Sequence, residues 1–106
     1  MTDFDPERFE DKYAEYFAEL QDAYKRAFQT MNDRYDSELI HGIDQFVLNE
    51  SEPMYEGDGQ FRIDLPDQPY ERLEGVLVDE EKFEQVLDRY RAELRTELRV
   101  VFGFEE

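Results

Sequence analysis

Cysteine and tryptophan are absent, and positive charge is scarce: 12 Lys plus Arg stand against 29 Asp plus Glu in 106 residues. Without cysteine there is no disulfide framework, no thiolate metal site and no cysteine nucleophile. His41 is the single histidine, and Ser37 and Ser51 are the only serines, neither set in a glycine elbow. No glycine-rich loop of the phosphate-cradling kind occurs. Nothing here resembles a catalytic constellation, and no cofactor is expected. No apolar run approaches the ~20 residues of a membrane span. The start, Met-Thr-Asp-Phe-Asp-Pro, lacks the basic and apolar regions of a signal peptide. A formal net charge of −17 disfavours direct contact with nucleic acid or anionic lipid. The expectation is a cytoplasmic, non-enzymatic protein with no membrane partner and no direct nucleic-acid partner.

What is present is acid and aromatics. A mean hydropathy of −0.88 with this charge is the composition of a disordered chain. The 15% aromatic content, placed at helical spacing, argues against disorder. Acid at nearly every non-apolar position repels itself at low ionic strength and is screened at high salt, where the Debye length is about 3 Å at 1 M. That reads as a halophilic protein. The competing reading is a nucleic-acid mimic, which requires acid gathered in a patterned patch.

From Phe4 to Tyr35 runs a stretch holding eight of the sixteen Phe and Tyr residues. Phe9, Tyr13, Tyr16, Phe17, Leu20, Tyr24, Ala27, Phe28, Met31 and Tyr35 fall within an arc of roughly 120° at ~100° per residue. Asp5 is a natural N-cap, Pro6 suits the first turn, and Phe4 and Phe9 occupy staple positions. A second stripe, Leu39, Ile40, Ile43, Phe46 and Val47, is rotated about 115° from the first. The phase jump predicts two helices, about 6–33 and 37–49, with a single bent helix as the alternative. Phe61, Ile63 and Leu65 alternate after Gly57-Asp58-Gly59, a β-hairpin signal. Tyr70 to Glu74 suits one helical turn, and Val76-Leu77-Val78 is a candidate third strand. Asp79 caps a last helix whose stripe is Phe83, Val86, Leu87, Tyr90, Leu94, Leu98 and Val101, with Gly103 at the C-terminal cap. The fold class is α+β, mainly helical, in a single domain over residues 1–106.

Three constellations bear on function. Asp58 between glycines, near Glu50, Glu52 and Glu56, lacks the alternating ligand spacing of a Ca²⁺ loop and reads as a turn. Glu38 and His41 have the spacing of half a di-iron motif, but His41 projects about 160° from its helix's apolar stripe. Arg91, Arg95 and Arg99 form an i, i+4 row beside the last helix's stripe. They are the candidate partner-binding residues, against the alternative that they pair with nearby acids. The last helix, about 35 Å long, is shorter than the roughly 45 Å first helix. That motivates a homodimer interface through Phe9, Tyr13, Tyr16, Phe17, Tyr24 and Phe28.

The segments FDPERFEDKY, MNDRYDSEL, NESEPMYEGDGQFR, VLVDEEKFE and VFGFEE together resemble an uncharacterised family of short acidic haloarchaeal proteins, a domain of unknown function. The resemblance spans nearly the whole chain. It implies a halophilic, archaeal setting and supplies no activity, cofactor or functional residue. The reading is a small non-enzymatic interaction or adaptor protein of a halophilic cytoplasm, working through its helical faces or the Arg row on a protein partner. The alternatives are an acidic mimic or regulator binding a basic partner, and a carboxylate-based metal enzyme.

Overall fold

The computed structural model describes residues 4–104. Helices α1 (Pro6–Phe9), α2 (Lys12–Glu15), α3 (Phe17–Arg34) and α4 (Ser37–Phe46) lead through a 3-10 turn (Leu48–Glu50) into β1 (Glu52–Gly57) and β2 (Gln60–Asp64). A short α5 (Pro69–Arg72) and the long α6 (Glu80–Val101) follow. The architecture is α+β and mainly helical.

The expected first helix of about 6–33 is instead three helices, broken around Glu10–Asp11 and at Tyr16. Asp11 and Tyr16 leave helical geometry, at ψ 41 and 24. Tertiary contacts explain the breaks. The Asp5 N–H donates to the Tyr16 hydroxyl at 2.9 Å, whereas eleven residues of straight helix would separate their backbones by about 16 Å. Folding back brings Phe4, Phe9 and Tyr16 onto Tyr55, Phe61, Phe102 and Phe104, with neighbouring ring centroids 4.7–6.2 Å apart. Such pairs each contribute about 0.5–1.5 kcal/mol beyond area burial. That sum outweighs two interrupted helical turns.

The break between α3 and α4 lies where the phase jump placed it. Asp36 caps α4 by accepting from the Leu39 N–H at 3.0 Å, and Asp79 caps α6 by accepting from the Lys82 N–H at 2.8 Å. At the far end of α6, Gly103 has φ +83, and Phe104 and Gly103 donate back to Arg99 and Val100 carbonyls. This is the glycine-terminated 6→1 and 5→2 pattern.

Helices α3 and α6 pack antiparallel. Ala18 and Glu19 neighbour Val100 and Val101 at one end, and Arg34 and Tyr35 neighbour Arg89 at the other. Ala23 and Ala27, fully buried one turn apart on α3, allow close approach to Tyr90 and Leu94 in the shared core. The hairpin pairs antiparallel, with Tyr55 opposite Phe61 and Pro53 opposite Ile63. Its turn, Gly57-Asp58-Gly59, holds three consecutive positive φ angles. A Cβ on Gly59 would stand 3.0 Å from the Phe104 ring, so only glycine fits there. Residues 76–78 form no strand. They belong to an extended connector whose Leu73 and Val76 lie against Gly42 of α4, with the Tyr70 hydroxyl donating to the Val78 carbonyl at 2.6 Å.

The acid leaves a measurable imprint on this fold. Burial pushes the Asp44 carboxyl up, and burial together with the hydrogen-bonded Glu93 pushes Glu97 up. A carboxyl raised in the folded state penalises folding when ionised, and the penalty fades as pH falls through its folded pKa. Lowering pH from 7 towards the ordinary carboxylate range, and raising KCl, are therefore both expected to raise the thermal unfolding midpoint. Glu97→Gln should raise the midpoint at pH 7 and flatten the pH dependence. A midpoint that falls on either change, measured by circular dichroism, contradicts this.

Candidate functional site

The backbone break at Tyr16 decides which aromatics face the core. Tyr16 turns inward, while Tyr13 and Phe17 are left 58% and 52% exposed. Among the described residues the other large apolar side chains counted as exposed are Leu77 and Val100. Tyr13 and Phe17 line a groove of about 320 Å³ with Leu20, Tyr24, Asp44, Leu48, Ser51 and Pro53. It opens where the start of α3 meets the end of α4 and the entry to β1.

Polar groups in this groove are of two kinds. Ser51 Oγ donates to the Leu48 carbonyl at 2.6 Å, so its contact with the Tyr24 hydroxyl at 2.9 Å has Tyr24 as donor. Burial pushes the Tyr24 phenol up to about 12. Tyr24 and Ser51 are thus satisfied internally. Asp44 is not. Half-buried, its carboxylate forms no ion pair or hydrogen bond with a described residue. The buried Tyr90 phenol is also pushed up, chiefly by burial and then by the charge of Asp44.

Beside the groove, Lys12 is only 5% exposed. Its Nζ lies 2.8 Å from Glu52 Oε2 and about 5 Å over the Phe9 and Tyr13 rings (5.3 and 5.2 Å to the centroids). The ammonium thereby fixes α2 against β1 and supports Tyr13 from behind.

Of the residues singled out as a homodimer surface, Phe9 and Tyr16 are buried in the chain's own core and Tyr24 and Phe28 are half-buried against it. Only Tyr13 and Phe17 reach solvent substantially. The Arg row divides. Arg91 reaches the Ile63 carbonyl at 3.4 Å and Asp88 at 4.0 Å, while Arg99 donates to the Gly59 carbonyl, so both brace the hairpin against α6. Arg95 lies between them without such a partner among the described residues. His41 is exposed. Its Nδ1 is 2.9 Å from the Ser37 carbonyl and therefore carries the proton, and its ring stands edge-on to Phe28. Asp58 occupies the hairpin turn. Among the described residues, no three His, Cys, Asp or Glu side chains gather in a metal-binding arrangement, and no helix is long and apolar enough to cross a membrane.

Two residues escaped attention in the sequence, and both carried a signal. Asp44 follows Ile40 by one turn, roughly 40° away, at the margin of the apolar stripe. Lys12 stands three after Phe9 and four before Tyr16, on the aromatic stripe itself. A charge in an apolar stripe is the pattern of a buried or partnered ion.

No curated protein and no solved structure matches the chain. A family model does match, over residues 1–105, and on it the chain belongs to DUF5783, a family of unknown function.

Proposed function

We propose that this chain is a small non-enzymatic interaction protein that holds a basic segment of a protein partner in the Tyr13–Phe17 groove. The observation that carries this reading is Asp44, a half-buried carboxylate without an ion-pair partner among the described residues, beside two exposed aromatic rings. A Lys or Arg side chain matches that arrangement. Its aliphatic stem covers the rings, and its cationic head offsets the desolvation that raises the Asp44 carboxyl. A cation over an aromatic face contributes about 0.5–2 kcal/mol, depending on desolvation. The net charge of −17 steers a basic partner to the surface. Exposed acid lies on every helix and both strands, which weighs against a nucleic-acid mimic with one patterned face. The same acid burden supports a halophilic cytoplasmic setting, for which the rise of the unfolding midpoint with KCl is the check.

Titration of a Lys-rich peptide at ~0.5 M KCl, where the Debye length is only a few Å, separates groove binding from diffuse attraction. Asp44→Asn should weaken binding at least ~10-fold, about 1.4 kcal/mol. Glu71→Gln, the same charge change on exposed α5, should alter it by less than ~2-fold. Tyr13→Ala with Phe17→Ala should weaken it comparably to Asp44→Asn. Equal effects of Asp44→Asn and Glu71→Gln, or none from the aromatic pair, would sink the proposal.

A further inference from the structure

A second surface lies at the opposite end of the α3–α6 pair, and its charge is of the other sign. Two adjoining grooves meet at Tyr35. One, of about 450 Å³, is lined by Tyr35, Lys82, Gln85, Val86, Asp88 and Arg89. The other, of about 170 Å³, takes in Arg34, Tyr35, Arg89, Glu93 and Thr96. Of the α6 residues lining them, 82, 86, 89, 93 and 96 recur at three- and four-residue steps and so form one helical face, with 85, 88 and 92 beside it.

Lys82, Arg89 and Arg34 are exposed, and none forms an ion pair with a described residue. Among the described residues Arg8, Lys12, Arg26, Arg62, Arg72 and Arg91 have carboxylate partners, while Lys25 and Arg95 are also unpaired but line neither groove. With 29 acids available for 12 cations, three unpaired cations around one tyrosine run against the chain's own charge balance. The two acids lining these grooves are turned to other partners, Asp88 to Arg91 at 4.0 Å and Glu93 to the Glu97 carboxyl. Helix-end electrostatics accounts for Arg34, in the last turn of α3, but not for Lys82, which stands in the first turn of α6 where a cation is disfavoured. Tyr35, Gln85 and Thr96 add neutral donors.

We infer that this face binds an acidic, extended segment of a partner protein, with its carboxylates on Lys82, Arg89 and Arg34. The length favours a peptide over a single small anion. From Lys82 to Thr96 is about 21 Å of helix, which spans about six residues of extended chain at ~3.3 Å each. The seven residues from Lys82 to Arg89 cover about 10 Å, so matching carboxylates stand about three residues apart. At high salt the repulsion of the −17 chain is confined to a few Å, while contact pairs inside a groove persist.

The test is a titration of isotope-labelled full-length chain at ~0.5 M KCl with a peptide of repeated Glu-Gly-Gly. Amide shifts should map to Tyr35, Lys82, Arg89 and Thr96. Lys82→Glu with Arg89→Glu should weaken binding at least ~10-fold while leaving the unfolding midpoint within a few degrees, since both side chains are solvent-exposed. Shifts that map elsewhere or are missing at millimolar peptide overturn the inference, as does undiminished binding by the double variant. Inorganic phosphate alone producing the same shifts at the same concentration overturns the peptide in favour of a general oxyanion site. Self-association abolished by the double variant overturns it in favour of a second copy of the chain. Because Tyr13, Phe17 and Asp44 line the other groove, this outcome is independent of the Lys-rich peptide result.

Discussion

Phe61→Ala is expected to lower the unfolding free energy by about 3–5 kcal/mol, and Phe17→Ala to change it by less than about 0.5 kcal/mol. Chemical denaturation followed by circular dichroism reads both. The contrast rests on location. Phe61 is 2% exposed, and its ring lies 5.2–6.0 Å from those of Phe4, Phe9, Tyr55, Phe102 and Phe104. Removing it opens a cavity lined by rigid rings that collapse poorly, and cavities of that kind lie at the costly end of large-to-small substitutions. Phe17 is half-exposed over the groove, so its truncation removes little packed area. The Phe61 figure is a large part of the ~5–15 kcal/mol that stabilises an ordinary domain. The variant is therefore expected to unfold partly at low salt and recover at high KCl, where the acidic surface repels itself less. Equal costs for the two substitutions would mean that the aromatic cluster does not hold the N-terminal helices in place.

That contrast also marks how far the sequence could be read. Caps, periodicity and the phase jump located the α3–α4 break between about residues 33 and 37, the start of α6 at Asp79 and the hairpin turn at Gly57–Gly59, because each of those signals is local. The segmentation of the first helix was not legible. Phe9, Tyr13, Tyr16 and Phe17 keep helical spacing straight through the breaks, and what bends the chain is a long-range aromatic cluster drawn from Phe61, Phe102 and Phe104. The same hidden bend produced the candidate site. It turns Tyr16 inward and Tyr13 and Phe17 outward, dividing a stripe that reads as uniform. In the Arg row, spacing identified the shared helix face, but not that Arg91 and Arg99 reach hairpin carbonyls. The cations around Tyr35 come from two helices distant in sequence, so only their packing brings them together.

The second large effect concerns Lys12 and Glu52, and its asymmetry is the informative part. Glu52→Ala is expected to cost about 1–3 kcal/mol, and Lys12→Met less than about 1 kcal/mol. Removing Glu52 leaves an ammonium that is 5% exposed with, among the described residues, only the Phe9 and Tyr13 rings as electrostatic partners. Because the Glu52 side chain is itself 51% exposed, water screens the pair, and the cost falls below the ~3–5 kcal/mol of a fully buried bridge. Lys12→Met deletes the charge and its desolvation cost together, keeps an unbranched stem against both rings, and frees Glu52 to water. In the double variant, Glu52→Ala should add no more than a surface substitution, about 0.5 kcal/mol, because no stranded charge remains. Denaturation of the four proteins gives the coupling directly. A Glu52→Ala cost that persists undiminished in the Lys12→Met background would show that Glu52 acts through something other than this lysine. The bridge spans 40 residues and ties α2 to β1. Its loss should therefore also loosen Tyr13, so that Glu52→Ala weakens the Lys-rich peptide even where the protein stays folded.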